Sequence, residues 1–95
     1  MSKLDECRTQ IDEIDTEIIK LFEKRMDIII EVIKYKIEHN IPVLDSSREA
    51  IMFEKNLNKI SNSEYKKYYK TILEGFLNAS KDMQKDILNI KQLSL

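Results

Sequence analysis

Turn-forming residues are almost missing from this chain, which has one Gly and one Pro in 95 residues. Hairpins need Gly, Pro or Asn-Gly turns between alternating strands, and such alternation is missing too, so an all-α chain is expected. The single cysteine, Cys7, cannot form an internal disulfide, and its apolar surroundings make it a core residue of a protein from a reducing compartment. The only histidine, His39, stands in no recognisable pattern with Cys7 and reads as a solvated surface residue. A net charge of −1 offers no argument for nucleic acid or an anionic membrane as partner. The chain does not open on a basic-then-apolar segment, and no apolar run approaches a membrane span, so a cytoplasmic location is expected. Without repeats or low-complexity segments, residues 1–95 read as one domain with a modest core, a size for which oligomerisation is a common remedy.

What is present is a long heptad pattern. One row reads Leu4, Ile11, Ile18, Arg25, Val32 and the other Cys7, Ile14, Leu21, Ile28, Tyr35. With no Gly or Pro before Pro42, the spacing predicts a single helix over 3–39. At 1.5 Å per residue it would span about 55 Å. A compact chain of this length should be only about 30 to 35 Å across. The surplus apolar stripe therefore calls for a second copy of the chain packed along the same helix, either around a shared pocket or as a plain two-stranded coiled coil without one.

Arg25 favours the first arrangement. It sits in the apolar seam, where a guanidinium costs several kcal/mol unless an anion meets it, either a structural partner from the later helices or an anionic ligand. Arg8 and Lys36 share a flank next to that seam, because 28 residues is four heptads. Lys36 lies about 16 Å beyond Arg25, within converging reach around a small molecule, while Arg8 lies about 26 Å the other way. If two copies cross antiparallel near Ile18 and Ile19, Arg8 of the partner subunit falls opposite residue 30, between Arg25 and Lys36. Two shared cationic pockets would result, each with an arginine donated in trans.

Asn40 and Pro42 stop the first helix, and a second is expected over 47–60 with the apolar stripe Ala50, Phe53, Leu57, Ile60. Ser46 and Glu49 have capping-box spacing, and Asp45 could equally be the cap. Arg48 in the first turn runs against the macrodipole and makes more sense with an anion to bind, helped by nearby backbone N–H groups. The chain has 13 Lys and 3 Arg, and all three arginines fall at these special places, as expected where bidentate recognition of carboxylate or phosphate is required. After Ser61-Asn62-Ser63-Glu64, a third helix is expected over 64–90, with a fraying tail from Lys91 to Leu95. Its inward row contains two polar intrusions one turn apart, Ser80 and Gln84, which could equally bond within their own helix. Gly75 weakens this helix and suggests close packing against a neighbour.

The ordered set Arg8, Arg25, Lys36, Asp45-x-x-Arg48-Glu49, Ser80-x-x-x-Gln84 resembles the all-helical class of chorismate mutase over nearly the whole chain. The strings Cys7-Arg8-x-x-Ile11-Asp12-x-x-Asp15 and Lys24-Arg25-Met26 through Lys34-x-Lys36 are similar as well. The resemblance implies an intertwined homodimer that converts chorismate to prephenate, toward phenylalanine and tyrosine. It implies that Arg8 (from the other subunit), Arg25 and Arg48 bind the substrate's carboxylates, with Ser80 assisting. Lys36 would reach a carboxylate and the ether oxygen, Gln84 would bond the ether oxygen, and Asp45 and Glu49 would hold the ring-hydroxyl side. Such a pericyclic reaction needs no metal, cofactor, nucleophile or proton relay, and the sequence offers none. An isochorismate pyruvate-lyase of the same helical type is the near alternative, and a non-catalytic dimeric module that binds an aromatic metabolite is the distant one.

Overall fold

A computed structural model describes the backbone of residues 2–93 and the side chains up to residue 90. Helix α1 runs Lys3–Glu38, α2 Ser46–Asn58 and α3 Lys66–Leu93, with a short 3-10 turn Ser63–Tyr65 leading into α3. No strand occurs among the described residues, as the shortage of turn residues requires.

The start of α1 is closed by Ser2, whose Oγ accepts from the Asp5 N–H at 3.1 Å, and Asp5 and Glu6 complement the positive end of the helix dipole. At its far end Asn40 adopts φ 56°, a left-handed conformation that Asn tolerates well. This turn lets Ile41 N–H donate to Lys36 O at 2.8 Å and Asn40 N–H to Ile37 O at 3.4 Å. The helix terminus is thus a closed Schellman turn and not a frayed end. His39 is exposed as expected, but it is held: its ring stacks on Tyr35 at 4.0 Å and its Nδ1–H donates to Tyr35 O at 2.9 Å.

Asp45 is the N-cap of α2, with its Oδ1 accepting from Arg48 N–H at 3.0 Å. The Ser46–Glu49 capping box is not the device used. Replacing Asp45 with Ala should cost about 1 kcal/mol of unfolding free energy, and Asp45→Asn should keep most of it, as a denaturant titration would read. The helix also ends two residues before the expected Ile60, where Lys59 N–H turns back to Asn56 O at 3.1 Å. Asn62 caps the 3-10 turn through Glu64 N–H at 3.0 Å, which delays α3 to Lys66. That helix continues to Leu93 through the first part of the tail expected to fray, of which residues 94 and 95 lie outside the described residues.

A Cβ added at Gly75 would have no neighbour within 4 Å, so nothing within the one chain packs closely on this glycine. Its φ is not positive, so Ala fits there without strain. Gly75→Ala should raise the unfolding free energy by about 1 kcal/mol, readable as a higher Tm. A lower Tm would mean that a second chain packs on this spot.

The chain divides into two compact units, Met1–Val32 and Ile33–Leu95. The first is the N-terminal part of α1, and none of its described residues is buried. Its seam residues Leu4, Ile11, Ile14, Ile18, Leu21, Ile28 and Val32 are each 45–65 % exposed. Cys7 is half-buried on the same seam. The second unit has a small core: Ile33 at the end of α1, Val43 in the connection, and Leu73 and Ser80 on α3. Within this unit α2 packs on α3. Among the described residues no helix is long and apolar enough to cross a membrane.

Candidate active site

Six of the eight candidate residues lie in the second unit. Lys36 is half-buried in the last turn of α1, where a cation meets the negative end of the helix dipole. Its Nζ donates to the carbonyl oxygen of Val43 at 3.1 Å. Because Val43 is itself 8 % exposed, that bond ties the ammonium to a fixed point two residues before Asp45. An ammonium has three hydrogens, so two remain for a ligand.

The first turn of α2 carries Asp45, Arg48 and Glu49. Asp45 and Arg48 are exposed, and the Arg48 N–H is spent on the Asp45 cap. The guanidinium of Arg48, and not its backbone amide, is therefore what this turn can offer an anion. Glu49 points across to α3, where its Oε2 lies 3.2 Å from Lys81 Nζ. This contact brings the first turn of α2 against the stretch of α3 that bears Ser80 and Gln84.

Ser80 is 5 % exposed and its hydroxyl donates to Phe76 O at 2.8 Å. Gln84 is half-buried and its Nε2 donates to Ser80 O at 3.1 Å. Both polar intrusions thus bond to their own helix in the absence of ligand. The amide of Gln84 has a second N–H, so it retains capacity for a substrate, while Ser80 has a further interaction besides its bond to Phe76.

The other two candidates are on the first unit. Arg8 is exposed. Arg25 is half-buried and already engaged in an interaction. The case for an anionic ligand therefore cannot rest on a stranded Arg25 charge, and rests on the set as a whole. Two surface grooves by the α2–α3 connection, lined by residues such as Lys59, Tyr65, Lys67, Tyr68 and Ile72, contain none of the candidates. Among the described residues no group of three His, Cys, Asp or Glu side chains gathers as a metal site would require.

One contact of a candidate residue went unrecognised in the sequence, that of Lys81 with Glu49. The signal was present in the spacing of Lys81, since it follows the half-buried Leu77 by four residues and adjoins Ser80, but a lysine at such a place reads as solvated.

The site's residue types, spacing and helical setting agree with a match over residues 7–85 to the family described as chorismate mutase type II. The chain belongs to the chorismate mutase type II family. It is 33 % identical over 84 residues to a bifunctional chorismate mutase/prephenate dehydratase of Buchnera aphidicola subsp. Schizaphis graminum, covering 86 % of this chain and 22 % of that protein. It is 36 % identical over 55 residues to a chorismate mutase of Methanocaldococcus jannaschii, covering 58 % of this chain and 56 % of that one. A T-protein of Haemophilus influenzae is 37 % identical over 54 residues, or 57 % of this chain and 14 % of the relative. The matches therefore span from about a seventh to just over half of these relatives' lengths. No solved structure matches the chain significantly.

Proposed function

We propose that residues 1–95 act as one chorismate mutase domain that rearranges chorismate to prephenate, on the route to phenylalanine and tyrosine. The observation that carries this reading is the reach of the family match, since residues 7–85 take in all eight candidate positions from Arg8 to Gln84. The working unit is a homodimer with two sites in a cytoplasmic protein. Each site draws Arg25, Lys36, Asp45, Arg48, Glu49, Ser80 and Gln84 from one chain and Arg8 from the partner subunit. The bare seam of α1 supports this, because an apolar stripe of that length on a helix is what a second chain covers.

In the rearrangement one C–O bond breaks and one C–C bond forms in a single cyclic step. The protein contributes in two ways. The arginines grip the two carboxylates and hold the substrate in its compact conformer, which removes an entropic part of the barrier. Lys36 and Gln84 donate to the ether oxygen as negative charge develops there, an interaction stronger in the transition state than in the ground state. Lys36 is well prepared for this, since its bond to the Val43 carbonyl already limits its rotamers.

The test is to incubate the protein with chorismate and, separately, with isochorismate, and identify the products by NMR. Prephenate from chorismate is expected. Pyruvate released from isochorismate, with chorismate untouched, would make the protein a lyase instead, and turnover of neither would leave a binding module.

A further inference from the structure

We infer that Lys81 is a positioning residue of this site, holding the Glu49 carboxylate in place and offsetting its charge beside a doubly negative substrate. The inference rests on the reading above, in which Glu49 holds the ring-hydroxyl side of a dicarboxylate.

The geometry begins with the ion pair itself. Lys81 Nζ lies 3.2 Å from Glu49 Oε2, joining the middle of α3 to the first turn of α2, and the side chains are 37 % and 23 % exposed. A pair of the ordinary surface kind is present for comparison: Lys20 and Glu17 stand 3.5 Å apart within one helix, with side chains 68 % and 69 % exposed. Such a solvated pair contributes little. The Lys81 pair differs by crossing between helices and by being about half as exposed or less, so its charges are less screened by water.

The position of Lys81 along α3 also needs a reason. Leu77, Lys81 and Leu88 lie on one edge of the helix, and all three are half-buried. Ser80, next in the chain, is 5 % exposed, and Gln84 is three residues on. A lysine on this edge stands beside the two candidate residues of α3 and reaches the first turn of α2. Its three hydrogens suit a carboxylate oxygen, and it uses Oε2, so Oε1 is the oxygen for a substrate hydroxyl.

A second carboxylate near a dianion is otherwise a liability. The candidate set contains Asp45 and Glu49, and an acceptor is needed for a hydroxyl, but each negative charge repels the substrate. Lys81 resolves the conflict for Glu49, which keeps its accepting oxygen while its net field at the substrate falls.

Four proteins test this: the parent, Lys81→Met, Glu49→Gln, and the double variant. For each, kcat and KM are measured with chorismate, and Kd by calorimetry with a non-reacting bicyclic dicarboxylate shaped like the rearranging conformer. In the parent background Lys81→Met should raise KM and Kd by about tenfold and change kcat by less than about threefold. In the Glu49→Gln background no carboxylate remains to be held and only the lysine's own field at the dianion is lost, so the same change should raise Kd by less than about threefold. Lys81→Arg should stay within about twofold of the parent in both, because it keeps the charge. Thermal unfolding of all variants separates a folding defect, and should one arise in Lys81→Met, Lys81→Gln takes its place. An unchanged Kd in Lys81→Met, or an equal rise in both backgrounds, overturns the inference, the latter by showing that Lys81 acts on the substrate independently of Glu49. A parent that neither binds the dicarboxylate nor consumes chorismate overturns the functional reading, and this inference with it.

Discussion

Lys36→Ala is expected to lower kcat for chorismate by roughly 10²- to 10³-fold while the unfolding transition stays nearly in place. The side chain sits at the C-terminal end of α1, and its one recorded bond is to the Val43 carbonyl. Loss of a single part-buried bond costs about 1 kcal/mol of stability, which leaves the chain folded. Its loss from the site is different, because the departing ether oxygen then has Gln84 as its one designated donor. With the three arginines proposed to supply most of the carboxylate grip, and Lys36 one contact among several, KM should move less than kcat. Arg25→Ala should show the opposite balance, with most of its loss in KM. If Arg25→Ala instead unfolds the protein, and the bicyclic dicarboxylate does not raise the parent's Tm, its existing interaction on α1 is structural and the carboxylate-binding role is wrong.

The order of the three helices was legible because two signals coincided. Apolar residues recur at helical spacing, and the breakers are concentrated where Asn40 and Pro42 stand. Asp45 was legible as a cap, although its competitor Ser46 has the same chemistry, and only the backbone at φ −138° and ψ 94° decides between them. The start of α3 was misplaced by two residues since a 3-10 turn and the first turn of an α-helix favour similar residues.

The site was legible as a list and much less as an arrangement. Ser80 and Gln84 stood out as polar residues on an apolar row, but each donates to a backbone carbonyl of its own helix. Nothing in the spacing chooses between that and a ligand. Lys81 escaped because its role depends on α2 lying against α3, a long-range contact that no local pattern encodes. Gly75 failed for a related reason, since a helix-weakening residue marks either a close neighbour or empty space, and within the one chain it is open space. The exposed seam of α1, by contrast, could be read in advance, because heptad spacing over so long a helix leaves apolar surface that one short chain has no means to cover.

The second large effect concerns that seam and the arginine near its start. Arg8→Ala and Lys36→Ala homodimers should each retain about 1 % of parental activity or less, since each lacks a group at both sites. Mixing the two under conditions of subunit exchange produces heterodimers from about half of the chains. If Arg8 acts in trans, one site of each heterodimer joins an intact Lys36 to an intact Arg8 of the partner subunit, and the other site lacks both. About a quarter of all sites are then complete, and activity should climb to about a quarter of the parent's. If Arg8 acts within its own chain, every site in the heterodimer lacks one group and nothing returns. The decisive measurement is therefore the initial rate of prephenate formation by the exchanged mixture, with exchange verified by native mass spectrometry of differently tagged chains. A rise to about a quarter of parental activity is the result expected of a pocket built by two subunits. A rate equal to the mean of the two inactive parents, with heterodimers present, would contradict it.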